Sequence, residues 1–242
     1  MSGSGSTSLS RSADALADIN ERIINCSRCP RLVWWREEAA KSPPARFRDE
    51  TYWARPVPGF GDPGARVMIV GLAPAAHGGN RTGRIFTGDR SGEFLFPVLY
   101  STGFANQPIG THVGDGMQLI DLYVGAVNRC APPDNKPTPE ERDNCLPFLV
   151  EEMRALNKMR LIVCLGGFAW DGVLRTLATL GHPVRPRPAF AHLAEARVDQ
   201  YTLLGSYHPS QQNTFTGRLT PEMLTEVFTR ARQIAGLPEM YR

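Results

Sequence analysis

Arg66-Val-Met-Ile-Val70 is a short apolar run that ends at Gly71, and the segment behind it, Gly71-Leu-Ala-Pro-Ala-Ala-His-Gly-Gly-Asn-Arg-Thr-Gly-Arg-Ile-Phe-Thr-Gly-Asp89, is rich in glycine and small residues. A run of this length and composition reads as a buried strand, and the glycine marks where the chain must turn. Three more runs have the same character: Leu119-Ile-Asp-Leu-Tyr-Val-Gly-Ala-Val127, ending at Asn128-Arg-Cys130; Leu161-Ile-Val-Cys-Leu165, broken by Gly166-Gly167; and Tyr201-Thr-Leu-Leu204, broken by Gly205. Helical patterns lie before, between and after them. Asp14 to Asn25 puts Leu16, Ile19, Ile23 and Ile24 on one face. Thr138-Pro139-Glu-Glu141 combines an N-cap, a first-turn proline and a glutamate at the third helical position, which makes a capping box. Pro147 predicts a kink or restart beside Cys145. Trp170, Val173, Leu174, Leu177 and Leu180 mark a helix that Gly181 ends, and Thr220-Pro221-Glu222 opens a last one carrying Leu224, Val227, Phe228, Ala231 and Ile234. Buried strands alternating with helices imply an α/β fold, a three-layer α/β/α sandwich with a central four-stranded parallel sheet, and ligands outside the carboxyl ends of its strands.

A chain of 242 residues can bury a sizeable core. Residues 1–12 read as a disordered tail and 13–242 as one domain. There is no apolar run long enough to span a membrane, and Met1 to Ser10 has neither a basic segment nor an apolar stretch, so a cytoplasmic protein is expected. Net charge is only +3, but 24 of the 27 basic residues are arginine, whose planar fork suits phosphate. A biased genome produces the same excess. Arg28, Arg31, Arg36, Lys41, Arg46, Arg48 and Arg55 lie close to Trp34, Trp35, Tyr52 and Trp53, which fits either a nucleic-acid face or a mixed surface over a small aromatic core.

Cys26 and Cys29 are separated by two residues, and Cys130 and Cys145 by fourteen. Two such clips can close on one metal centre, and four thiolates suit zinc or an iron–sulfur cluster alike. Cys164, inside an apolar run, reads as a buried small hydrophobe. The 71–89 segment has neither the dinucleotide glycine spacing nor a Walker lysine, which excludes the common nucleotide sites. It offers a rigid Pro74 and a loop that a ligand can approach closely. Phe86 fits two roles, a stacking platform for a planar base or an anchor for its loop. Gly205-Ser-Tyr-His-Pro-Ser-Gln-Gln-Asn213 presents hydrogen-bonding groups and no carboxylate. Its His208 is either structural or a donor to an anion developing on a leaving group, and its neighbours suit phosphate contact.

Gly71-Leu-Ala-Pro-Ala-Ala-His77, Gly83-Arg-Ile-Phe-Thr-Gly-Asp89, Asn128-Arg-Cys-Ala-Pro-Pro-Asp-Asn-Lys-Pro-Thr-Pro-Glu140 and Ser206-Tyr-His-Pro-Ser210, taken with the four cysteines, resemble the family 5 (type B) uracil-DNA glycosylases. The resemblance covers roughly residues 14 to 236. It implies a monofunctional enzyme that excises uracil, and other deaminated bases such as hypoxanthine, from double-stranded DNA by hydrolysis of the N-glycosidic bond, and so initiates base-excision repair. It also implies one [4Fe–4S] cluster per chain on Cys26, Cys29, Cys130 and Cys145, and a monomer without membrane association, located with the nucleoid. Phe86 is expected to stack on the base, His208 to stabilise the departing base, and Asn128 to position water, with Asn80 and Asp89 as the competing choices beside the substrate. Ala73 stands where the wider superfamily often carries a polar residue, which removes the usual water-activating group. Ser206, Ser210, Gln212, Thr214 and Arg218 are expected to contact DNA, Gln212 and Thr214 as wedge candidates. The alternative from another class is a non-catalytic, metal-stapled nucleic-acid-binding protein.

Overall fold

The structure is a computed structural model that describes residues 4–238. Its centre is a sheet of six strands: β1 (Phe60–Gly61), β2 (Val67–Gly71), β3 (Leu122–Ala126), β4 (Leu161–Leu165), β5 (Glu195–Val198) and β6 (Tyr201–Ser206), in the order β1-β3-β2-β4-β6-β5. β3, β2, β4 and β6 run parallel, in register Val67 to Leu122, Val67 to Leu161 and Leu161 to Thr202. β1 and β5 pair antiparallel at the two edges. The expected four-stranded parallel sheet is therefore the middle of a mixed sheet. The edges carry little sequence signal: β1 is two residues long, and β5 alternates exposed and buried positions. The inner strands β2, β3 and β4 are buried at every position and are mostly aliphatic, as a sheet covered on both faces requires.

Helices α1 (Ser4–Ile24), α2 (Pro30–Lys41), α3 (Gly79–Thr82), α4 (Arg90–Ser101), α5 (Pro139–Ala155), α6 (Gly167–Thr179), α7 (Gln211–Phe215) and α8 (Pro221–Ile234) complete the fold. Leu95, Leu99, Val227 and Phe228 of α4 and α8 pack with Ile69, Val124 and Val163 on one face of the sheet. Leu16, Leu149, Val173 and Leu177 of α1, α5 and α6 pack with Met68, Val70 and Ile162 on the other. The capping box of α5 forms as expected, Thr138 Oγ1 accepting from Glu141 N while Thr138 N donates to the Glu141 carboxylate. Of the kink or restart expected at Pro147, the restart is absent, and α5 runs on through the proline. Of the tail expected over residues 1–12, Ser4 onward belongs to α1, and residues 1–3 lie outside the described residues. No described helix is long and apolar enough to cross a membrane.

Candidate active site

The carboxyl ends of β2 and β6 open into a recess of about 590 Å³ lined by Ala73, Pro74, Phe86, Asp89, Asn135 and His208, with Ser210 and Gln212 at its α7 side. Its floor depends on a close approach of backbone and ring. A Cβ placed on Gly71 would lie 2.8 Å from Phe86 Cζ, so the strand ends in glycine where the aromatic ring crosses it. Phe86 has φ 55°, between Gly83 at 79° and Gly88 at 78°, and this tight excursion turns its ring toward the recess. Phe86 packs with the core at 7% exposure and also lines the recess.

His208 follows β6, and its ring centroid lies 5.9 Å from that of Phe86 with the planes tilted by 39°. Its carbonyl accepts from Asn213 Nδ2 at 2.8 Å, which ties it to α7. Burial lowers the imidazole pKa to about 4, so at neutral pH the ring is uncharged and has one N–H to donate. Asp89 caps α4, with Oδ1 accepting from Gly92 N at 3.1 Å. Burial raises its carboxyl above the usual range. Ala73 and Asp89 thus stand beside Phe86 and His208 as the sequence led us to expect.

Asn128 and Asn80 do not. Asn128 is fully buried and its Nδ2 donates to Glu141 O at 3.0 Å. Asn80 is 1% exposed and donates to Arg36 O at 3.1 Å and Ala76 O at 3.3 Å. Neither lines the recess. Asn135, which sequence reasoning missed, does. Asp134 and Asn135 have φ of 52° and 56°, a left-handed pair that these two residue types tolerate best. The dipeptide Asp134-Asn135 between prolines was the available signal.

The DNA-contact candidates also divide. Ser206 is fully buried and donates to Tyr207 O at 3.0 Å. Thr214 is half-buried and donates to Ser210 O at 3.1 Å. Gln212 is exposed, and so is Arg218, whose guanidinium lies 4.5 Å from the Tyr207 ring centroid. Phe215, at the end of α7, is 69% exposed, an apolar side chain that the sequence reading passed over.

The loop carrying Phe86 is clamped from one side. Arg84 donates from Nη1 and Nη2 to the Asp115 carboxylate at 2.8 and 2.6 Å, and from Nε to Thr87 Oγ1 at 2.9 Å. Asp115 also accepts from Thr111 N and Met117 N. The Arg84 guanidinium and these hydrogen bonds hold the Asp115 carboxyl far below the ordinary carboxylate range.

The cysteines converge, but not into a metal centre. Cys26, Cys29, Cys130 and Cys145 line one recess of about 10 Å³, room for about one water-sized sphere. Arg36 Nη1 donates to Cys130 Sγ at 3.2 Å. Burial pushes the Cys130 thiol up to about 11 and Cys145 to about 12. Among the described residues no group of three or more histidine, cysteine, aspartate or glutamate side chains is placed to hold a metal ion. The expected [4Fe–4S] cluster, its ligand set and the zinc alternative are corrected on that finding. Cys164 is fully buried in β4 as a small hydrophobe.

Residues 58–232 match the model of the uracil DNA glycosylase superfamily, and the chain belongs to that superfamily. Within it the chain belongs to the type-5 family. It is 48% identical over 231 residues to the type-5 uracil-DNA glycosylase of Mycobacterium tuberculosis, covering 95% of this chain and 85% of that one. It is 49% identical over 224 residues to the type-5 enzyme of Thermus thermophilus, covering 90% and 97%. Pyrobaculum aerophilum separates the types: its type-5 protein is 46% identical over 219 residues, covering 90% of this chain and 93% of its own, while its type-4 protein is 28% identical over 196 residues, covering 81% and 83%.

Proposed function

We propose that this protein is a monofunctional glycosylase that removes uracil, and other deaminated bases such as hypoxanthine, from double-stranded DNA by hydrolysing the N-glycosidic bond, the first step of base-excision repair. The observation that carries the proposal is the Phe86–His208 recess at the strand ends, in a chain whose membership of the type-5 uracil-DNA glycosylases is established above. A base inside a duplex cannot reach such a recess, so the nucleotide must be extruded first. Phe86 then offers a face for the base. As the bond breaks, positive character grows on the sugar and negative charge on the base. The neutral imidazole of His208 donates a hydrogen bond to a base carbonyl as that charge develops, a contribution stronger in the transition state than in the ground state. Water adds late and needs placement more than a strong base. Asp89 and Asn135 replace Asn128 as the groups for that task, because they line the recess and Asn128 does not. Phe215 is the wedge proposed to fill the gap left by the extruded base, in place of Gln212 and Thr214; Arg218 and Ser210 contact phosphates.

The test is incubation with a duplex containing one uracil, followed by alkali. Strand cleavage only after alkali is expected and reports an abasic product. Tight binding with the base left intact would instead favour a non-catalytic nucleic-acid-binding protein.

A further inference from the structure

We infer that a second recess beside the candidate base pocket binds the nucleotide adjacent to the damaged one, a reading that rests on the base-excision function proposed above. This second recess has a volume of about 550 Å³. It is continuous with the first, since Ala75, Asp89, Arg90, Asp134, Asn135 and Gln211 line both. Its remaining walls bring together four rings, Trp35, Phe47, His77 and Phe215, with Arg46 and one acid, Glu93. None of these four rings belongs to the hydrophobic core on either face of the sheet, so core packing does not account for them.

Their arrangement suits a base and its phosphate. The Arg46 and Arg81 guanidiniums lie 4.6 and 3.9 Å from the Phe47 ring centroid, and the His77 ring lies 6.5 Å from it. His77 Nδ1 shares a hydrogen bond with Tyr52 Oη at 2.9 Å. Burial and the nearby Arg46 and Arg81 charges lower the His77 pKa, so the ring contributes a polar face without adding charge. Trp35 lines the recess, and its Nε1 is buried without a hydrogen-bond partner. Glu50 pairs with Arg81, and Glu93, on the recess wall, pairs with Arg90. Arg46 keeps an exposed guanidinium at the mouth. Aromatic faces interleaved with arginine are the chemistry of single-stranded nucleic acid, rings taking bases and guanidiniums taking phosphates. Because the two recesses join, the occupant is the nucleotide next to the one in the first pocket.

Affinity measured by anisotropy, on a duplex whose uracil carries a 2′-fluoro sugar that resists cleavage, tests this without depending on turnover. The neighbouring nucleotide is replaced by an abasic spacer, on the 5′ side in one duplex and the 3′ side in another. For the wild-type protein one of the two spacers should weaken binding about ten- to a hundredfold, the range that one base stack supports. Phe47→Ala should weaken binding to the intact duplex by a similar factor and lose little more on the spacer duplex, while Phe47→Tyr retains the wild-type pattern. Arg46→Ala, on an exposed side chain that leaves the fold intact, should lower the salt slope by about one and give the same non-additivity if Phe47→Ala is poorly soluble. Unchanged affinity with either spacer, or Phe47→Ala and spacer losses that simply add, would overturn the inference. Failure of the wild-type protein to release uracil from the ordinary sugar would overturn the base-excision reading alone, because the affinity pattern is read separately.

Discussion

At the scale of single residues, the recess rests on contacts that tolerate no extra atom and on a half-buried imidazole. Gly71→Ala adds a methyl where Phe86 Cζ stands 2.8 Å away, closer than real Cβ contacts approach, so the ring must shift. Single-turnover excision should fall by at least tenfold while nonspecific duplex affinity stays within about twofold, since phosphate contacts lie elsewhere; an unchanged rate would remove Phe86 from the floor of the pocket. His208 makes a different prediction. Its pKa of about 4 lies below the ordinary value near 6.5, so the unfolded chain binds the extra proton first as pH falls. The stability this group contributes is complete above about 6.5 and is lost as pH falls toward about 4. The rate should show no His208 limb between pH 5 and 8. Burial raises the Asp89 carboxyl, so Asp89→Asn should shift or remove the acid limb that this group contributes. His208→Ala should slow poor leaving groups more than uracil, by about 10²–10³-fold if it acts as an oxyanion donor does. A limb near 6.5 that vanishes in His208→Ala, or equal losses across leaving bases of different acidity, would contradict the neutral-donor role.

At the scale of elements, the Phe86 loop is held by a bridge to the 103–116 loop, and the bridge is nearly dry, with Arg84 and Asp115 side chains 7% and 6% exposed. Removing one partner of such a pair leaves an uncompensated buried charge, which costs about 3–5 kcal/mol. Arg84→Met and Asp115→Asn should therefore each lower unfolding free energy by about that much in denaturant titrations. The sign with pH follows from the depressed Asp115 carboxyl. Its contribution is present above the unfolded carboxylate pKa near 3.9 and is lost as pH falls through the lower folded value. Losses below about 1 kcal/mol in both variants would show a solvated pair. The sequence revealed none of this bridge, because nothing in a chain's order says that Arg84 meets a residue 31 positions away. It revealed elements whose signals are local: the capping box of α5, the threonine cap of α8 and the four apolar runs that became the parallel strands. α2 was missed because Trp34-Trp35-Arg-Glu-Glu38 lacks a clean apolar stripe, and β5 because a four-residue edge strand owes its form to pairing with β6. In the site, residue types were legible and depth was not. Asn128 and Asn135 are equally good asparagines in sequence, and only the fold buries one and points the other into the recess.

For the whole molecule, the deepest polar contact joins the sheet to the helical layer that lies over its second face. Arg129, three residues past the end of β3, pairs with Glu152 of α5, the two side chains 1% and 0% exposed. Tyr123 of β3 donates its hydroxyl to the same carboxylate at 3.3 Å. Gly59 gives the group room, since a Cβ there would fall 2.4 Å from Tyr123 Oη and 2.5 Å from Glu152 Oε1. Arg129 also fixes the entry of the preceding segment, its carbonyl accepting from Val57 N at 2.7 Å. A buried pair of this kind gains little over apolar side chains of similar volume but is costly to break by halves. Arg129→Met and Glu152→Leu should each destabilise by about 3–5 kcal/mol, near half the stability of a typical domain. The double variant should lose much less than their sum, an interaction energy of about 2 kcal/mol or more in a double-mutant cycle. Strict additivity would mean that the ion pair does not couple β3 to α5, and that Tyr123 and the surrounding aliphatic packing hold the two layers together without it.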